Sequence, residues 1–174
     1  MSDLVFHEQL IDRIARGLGL KISRISSSGK NLPAEVTQGD RLLIEQLRPY
    51  TMTSSERLWS LIEGVRFVIQ ENLVGDFVEC GVWRGGSVMA MALQLNQLGV
   101  SDRNLWLYDT FTGMTEPTDV DVESGTGKSA SDLLRTTDVG DGNNIWCVAG
   151  RTGVAANIAS TGYPMDLVTF VEGD

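Results

Sequence analysis

The stretch GDFVECGVWRGGSVMAMA, residues 75–92, joins a short apolar run to a helix through a turn that is rich in glycine. DFVEC, 76–80, is typical of a buried β-strand, and SVMAMALQLNQLG, 87–99, is typical of a helix that a glycine closes. The turn between them contains Gly81, Gly85 and Gly86. Such a turn either binds a cofactor or only makes a tight connection from strand to helix, and the rest of the chain bears on this choice.

Further strands and helices are predicted along the chain. The strands are NLWLYD, 104–109, and DLVTFVEGD, 166–174; helices are expected over 51–70 and 153–161, and 112–144 reads mostly as loop with a helical turn at 129–135. Strands that alternate with helices imply parallel pairing. We therefore expect an α/β fold, namely the N-terminal half of a doubly wound, mainly parallel sheet.

The clearest helix is predicted over residues 51–70. Thr53 and Glu56 have the spacing of a capping box, in which a hydroxyl and a carboxylate satisfy free amides at the start of the helix. An apolar stripe follows at helical spacing, formed by Leu58, Leu61, Ile62, Val65 and Ile69. This pattern predicts a helix with one buried face.

The first 50 residues are predicted to form a helical or lid segment that precedes the cofactor-binding half, 51–174. An amphipathic helix is expected over 3–18 and a polar, serine-rich linker over 21–30. A second short helix is expected between Pro33 and Pro49, with an apolar side formed by Leu42, Leu43 and Leu47.

Composition limits the classes of function. Hydrophobic residues make up 42% of the 174 residues and charged residues 21%, as in a soluble globular domain. The formal net charge of −9 disfavours nucleic acid or an anionic membrane as a partner. No apolar stretch has the length of a membrane span, and the N-terminus does not resemble a signal peptide. Cys80 and Cys147 match no metal or redox spacing, so we expect buried, reduced cysteines and a cytoplasmic protein.

The glycine turn is placed where doubly wound sheets bind ligands, at the carboxyl end of the first strand. Its spacing, G-x-x-x-G-G, differs from the dinucleotide fingerprint G-x-G-x-x-G and fits a nicotinamide or flavin cofactor poorly. It fits the looser turn that holds the amino-acid end of S-adenosylmethionine better. Residues Gly81, Gly85, Gly86 and Ser87 are the candidates for that contact.

Acidic residues end all three predicted strands. Asp109 is placed to accept hydrogen bonds from ribose hydroxyls, and Glu79 to meet a ligand ammonium directly or through water. The turn Glu172-Gly173-Asp174 ends the third strand, where an adenine would lie. Each acid alone is a weak signal, with a solvated strand end as the alternative, but three at one edge of a parallel sheet favour ligand binding.

Several ordered motifs resemble the macrocin and mycinamicin O-methyltransferase family. They are YTMTSSERL (50–58), GDFVECGVWRGGS (75–87), LWLYDTFTGM (105–114), GKSASDLL (127–134), TGYP (161–164) and FVEG (170–173). The resemblance runs from about residue 48 to the end of the chain. It implies a Rossmann-like methyltransferase fold and transfer of a methyl group from S-adenosylmethionine to a sugar hydroxyl of a glycosylated natural product, assisted by Mg²⁺. A homo-oligomer is also expected, because half a sheet leaves an unpaired edge.

The resemblance also assigns residues. The methionine part of the cofactor would lie at Glu79 and the glycine turn, and the ribose at Asp109. Met52 and Thr53 would line the cofactor site, and Ser129, Glu172 and Gly173 would lie near the adenine. Glu35 and Tyr50 would face the sugar substrate.

The chain departs from the family pattern in two places. The family's metal site uses aspartates in a run resembling L-D-T-D-W-Y, which this sequence does not contain, so no metal or catalytic residue is assigned. In addition, GRTGVAANI, 150–158, is less acidic than the usual helix start. We therefore expect a chain truncated at its C-terminus. Two alternatives stay open: an inactive cofactor-binding remnant and a nicotinamide-dependent oxidoreductase.

Overall fold

The structure, a computed structural model, describes residues 32–136 and 146–173. The chain divides into two compact units, Met1–Leu32 and Pro33–Asp174, and the described residues belong almost wholly to the second. The helix predicted over 3–18 and the linker predicted over 21–30 lie outside the described residues.

The described residues form three strands and five α-helices. The strands are β1 (Phe77–Cys80), β2 (Leu105–Asp109) and β3 (Val168–Glu172); the helices are α1 (Gln38–Leu47), α2 (Ser55–Gln70), α3 (Gly86–Gln97), α4 (Ala130–Thr136) and α5 (Arg151–Ala159). Short 3₁₀ turns cover Arg48–Tyr50 and Met165–Leu167. Each predicted strand and helix of this part of the chain is therefore confirmed, with shifts of a few residues at the ends.

The three strands pair in parallel in the order β1-β2-β3, as predicted. Asp109 lies opposite Glu172 in the register, and the Gly81 amide donates to the Tyr108 carbonyl at 2.8 Å. The carboxyl ends of all three strands therefore meet at one edge of the sheet. This is the edge at which open α/β sheets bind their ligands.

One face of the sheet is buried and the other is largely open. Leu105 and Leu107 are almost completely buried, whereas Val78 is 58% and Tyr108 42% exposed. The prediction that the first strand is buried is therefore wrong for one of its faces, and Cys80 is exposed rather than buried. An apolar run shows that a strand can be buried, but it does not show whether another element covers both faces.

The start of α2 corrects the predicted capping box. Ser54 is the N-cap residue, and its hydroxyl accepts from the amide of Arg57. Thr53 instead directs its own amide to the hydroxyl of Thr51 at 3.1 Å. The predicted pair of Thr53 and Glu56 is thus wrong by one position, because two neighbouring residues can both cap and the local turn selects the second.

Helix α1 is tied to α2 by a partly buried ion pair. Arg66 donates to both carboxylate oxygens of Asp40, at 2.5 and 3.0 Å, and Asp40 is only 2% exposed. Hydrogen bonding from Arg66 holds the pKa of Asp40 below its usual value, against the opposing effect of burial. Leu43 and Leu47 are buried as predicted, but Leu42 is 62% exposed, so its assignment to the apolar side is wrong.

Candidate cofactor site

A cavity of about 660 Å³ lies at the carboxyl edge of the sheet. This volume is within the range of roughly 300–1,000 Å³ that is usual for small-molecule sites. Four of the residues predicted to bind the cofactor line it, namely Met52, Gly81, Asp109 and Gly173. The cavity therefore brings together groups that are more than a hundred residues apart in the sequence.

The three glycines of the turn have different tasks. Gly81 has φ +81°, and a side chain at this position would meet nothing within 4 Å, so its backbone faces the open cavity. Gly86 begins α3, and a Cβ atom there would lie 2.5 Å from the carbonyl oxygen of Tyr50. Gly85 has φ +86° and packs against Val154. Gly81 is thus the glycine open to a ligand, while the other two are required by backbone conformation and close packing.

Glu79 is a carboxyl group with an incomplete set of partners. Its Oε2 atom is buried and has no hydrogen-bond partner among the described residues. Burial raises the pKa of Glu79 to about 7, opposed by the Ser87 hydroxyl and the Val88 amide and reinforced by the charge of Asp109. A cationic group placed beside this carboxylate would favour its ionised form.

Asp109 connects the loops on either side of the cavity. Its Oδ2 atom accepts from the amides of Val82 and Trp83, at 2.5 and 3.1 Å, and Oδ1 accepts from the amide of Phe111 at 2.7 Å. The carbonyl of Asp109 also accepts from the Gly173 amide at 3.3 Å. Asp109 therefore joins the turn after β1, the loop after β2 and the end of β3.

The walls of the cavity are mostly apolar and contain residues that were not predicted as cofactor ligands. They include Trp83, Tyr108, Thr110, Gly113, Met114 and Cys147. Some of these have a sequence signal, because LYDTFTGM and GVWRGG belong to the motifs that carry the family resemblance. Cys147 has no such sequence signal, because it lies in a later segment of the chain, outside these motifs. Burial raises the pKa of its thiol.

A loop contact closes one side of the cavity. The amide of Met114 donates to the carbonyl of Trp146 at 2.8 Å, and a Cβ atom on Gly113 would lie 2.5 Å from the same oxygen. Gly113 has φ +96°, which favours glycine. This position therefore allows the loop after β2 to pass close to the segment that precedes α5.

The other predicted site residues lie outside the walls of this cavity. They are Thr53, Glu79, Gly85, Gly86, Ser87, Ser129 and Glu172. Tyr50 lines a second cavity of about 340 Å³, together with Arg84 and Asn157. Glu35 is exposed and lines neither cavity.

Within the described ranges, no helix is both long and apolar enough to cross a membrane.

A parallel α/β sheet with a glycine turn and a cavity at its carboxyl edge defines a Rossmann-like, nucleotide-type binding domain. Residues 38–141 match the family model Macrocin-O-methyltransferase (TylF). Because this match covers more than half of the chain, the chain belongs to that family. Membership implies S-adenosylmethionine as the cofactor and disfavours the nicotinamide-dependent alternative.

Curated relatives match a shorter part of the chain. An 8-demethyl-8-(2,3-dimethoxy-alpha-L-rhamnosyl)-tetracenomycin-C 4'-O-methyltransferase of Streptomyces olivaceus is 42% identical over 67 residues, which are 38% of this chain and 26% of the relative. The mycinamicin III 3''-O-methyltransferase of Micromonospora griseorubida is 36% identical over 72 residues, 41% of this chain and 28% of the relative. The match thus spans about a quarter of the length of these relatives.

A solved structure supports the fold assignment. The O-methyltransferase NovP superposes with a TM-score of 0.57 and 23% sequence identity, over 97% of this chain and 63% of that chain. At this level of identity the similarity concerns the fold. It confirms the expected Rossmann-like methyltransferase architecture.

Proposed function

We propose that this chain forms the cofactor-binding part of an S-adenosylmethionine-dependent O-methyltransferase whose acceptor is a sugar hydroxyl of a glycosylated natural product. The observation that carries the proposal is the cavity at the carboxyl edge of the sheet, which both Gly81 and Asp109 line. The acceptor class is proposed from the relatives, which include the demethyldecarbamoylnovobiocin O-methyltransferase of Streptomyces niveus, 40% identical over 67 residues, 38% of this chain and 26% of the relative.

The methionine end of the cofactor is proposed to bind at Gly81 and at residues near it in the sequence that do not themselves line the cavity. The buried Oε2 atom of Glu79 lacks a hydrogen-bond partner among the described residues, and the ammonium of the methionine part would supply one. Gly81 leaves room for close approach of the ligand to the backbone. Ser87 stands in the first turn of α3, and Gly85 and Gly86 shape the turn that presents this helix.

The ribose and adenine are proposed to lie along the strand ends that follow. Asp109 would accept from a ribose hydroxyl, and the adenine would lie toward Glu172, Gly173 and Ser129. Met52 and Thr53, just before α2, would cover the cofactor from the other side. Of these residues, Met52, Asp109 and Gly173 line the cavity, which supports the proposed path.

When bound, the cofactor supplies a methyl group on a positively charged sulfur. The mostly apolar walls of the cavity would limit the contact of that group with water. A base must also accept the proton of the sugar hydroxyl during transfer. The described residues do not identify that base, so no catalytic residue is assigned.

Magnesium assistance stays a proposal for the whole enzyme. Among the described residues, no three histidine, cysteine, aspartate or glutamate side chains come together as a metal site. The described part of the chain therefore does not fit the ion, and no step is assigned to it.

Two further parts of the proposal concern the acceptor and the oligomer. We propose that the acceptor binds on the side of the second cavity, at Tyr50, with Glu35 as a further contact. We also propose a homo-oligomer that covers the exposed face of β1.

A pair of glycine variants tests the cofactor site. Gly81→Val puts a side chain into the cavity, whereas Gly75→Val introduces one at another left-handed position, and neither new Cβ meets an atom within 4 Å. We expect calorimetry to show loss of S-adenosylhomocysteine binding by at least about tenfold for Gly81→Val and little change for Gly75→Val. Equal affinities for the two variants would contradict the proposed site.

A further inference from the structure

Asp109 has most of its hydrogen-bonding capacity committed within the protein. A carboxylate has about four acceptor positions. Three of them are filled by the amides of Val82, Trp83 and Phe111. At most about one position is left for a ligand, so the side chain cannot hold both hydroxyls of a ribose.

Two of the three donors belong to residues with unfavourable backbone conformations. Trp83 has φ +46° and Phe111 has φ +54°. Only glycine, and to a lesser degree asparagine and aspartate, adopts this left-handed region readily, so such a conformation persists only where surrounding contacts enforce it. Charge-assisted hydrogen bonds to one shared carboxylate provide such contacts.

The two left-handed residues set the shape of the cavity. Trp83 is a wall of the cavity, while its neighbour Val82 is only 3% exposed in the core. Phe111 is 6% exposed, and its ring packs against Phe170 with 5.7 Å between centroids. In the same loop, Thr110, directly before Phe111, and Gly113, two residues after it, line the cavity.

We propose that Asp109 is a positioning residue, which holds the turn after β1 and the loop after β2 in the left-handed conformations that form the cavity. Its effect on a ligand then passes mainly through the backbone at Trp83 and Phe111, and the ribose contact is secondary. The part of this inference that concerns the ligand rests on the proposed function.

The first test uses the protein without ligand. Asp109→Asn keeps the size of the side chain but removes its charge and one acceptor atom. We expect amide hydrogen exchange at Val82, Trp83 and Phe111 to accelerate by at least about tenfold, with the rest of the sheet unchanged. Asp119→Asn, at an exposed loop position, is the matched control and should change none of the three. Unchanged exchange in Asp109→Asn would overturn the inference.

The second test separates positioning from ribose binding. S-adenosylhomocysteine and its 2′-deoxy and 3′-deoxy analogues are titrated into the parent chain and Asp109→Asn. A positioning role predicts about the same fold-loss for all three ligands. A loss that disappears with one deoxy analogue would assign the effect to the ribose and overturn the inference.

The two tests also distinguish this inference from the proposed function. If the parent chain binds none of the three ligands, the proposed function fails, while the exchange test still decides the role of Asp109.

A second variant replaces Asp109→Asn if that variant does not fold. Asp109→Glu keeps the charge but displaces the carboxylate by one methylene. We expect intermediate protection of the three amides in that variant, and full protection would contradict the required geometry.

Discussion

Replacing Glu79 with glutamine should make the unliganded protein more stable at alkaline pH. The pKa of Glu79 in the folded protein is about 7, against an ordinary value of 4.5, so between these values the folded protein retains a proton that the unfolded chain releases. Stability attributable to this group therefore falls as pH rises from 4.5 to 7 and is constant above. At about 1.36 kcal/mol per pH unit, the whole loss is on the order of 3 kcal/mol.

Urea unfolding of the parent chain and of Glu79→Gln, from pH 5.5 to 8.5, measures this effect. We expect the stability of the variant relative to the parent to rise by about 2 kcal/mol across this range, because about 1.5 pH units of the shift lie within it. The pH-dependent difference is the decisive quantity, since the new amide has its own unmet hydrogen bonds at every pH. Glu45→Gln, at an exposed position in α1, should show no such trend.

The same variant should lose affinity for S-adenosylhomocysteine, because a neutral amide cannot pair with the ligand ammonium. This combination, higher stability and weaker binding, is expected when the replaced group is needed for binding but its burial lowers the stability of the protein. If the stability difference does not change with pH, Glu79 is not a buried acid of raised pKa, and the reasoning about its unpartnered oxygen is refuted.

Two further changes test the packing around the site. Arg66→Ala removes the cationic partner of the buried Asp40 carboxylate, which keeps the hydrogen bond from the Thr37 hydroxyl. It should lower the free energy of unfolding by about 2 kcal/mol in urea titrations, and a loss below about 1 kcal/mol would contradict this. Gly86→Ala forces a Cβ atom to 2.5 Å from a carbonyl oxygen and should lower the melting temperature. Gly64→Ala, where nothing lies within 4 Å of the new Cβ in α2, should raise it slightly, and equal shifts would show that Gly86 is not tightly packed.

Much of the fold follows from local patterns in the sequence. The 3.6-residue periodicity of α2 and the order of strands and helices were sufficient to predict the parallel sheet. The exact N-cap was not predictable, because Thr53 and Ser54 have the same chemistry and differ only in the turn that precedes the helix. The open face at Val78 was not predictable either, because burial depends on which other elements cover the sheet.

Part of the cavity lining could be predicted, whereas cofactor binding by these residues stays a prediction. Gly81 and Asp109 line the cavity because a parallel sheet gathers its strand ends at one edge. The left-handed conformations of Trp83, Phe111 and Cys147 leave no trace in the residue types, since none of the three favours that region. Their positions depend on tertiary contacts, which also determine which of the three glycines faces the cavity.

The most direct test of the central claim is calorimetric titration of the chain with S-adenosylhomocysteine and, separately, with NAD⁺. The account predicts saturable binding of S-adenosylhomocysteine at one site per chain and no binding of NAD⁺. Binding of NAD⁺ in preference, or no binding of either ligand by a chain that unfolds cooperatively, would contradict it.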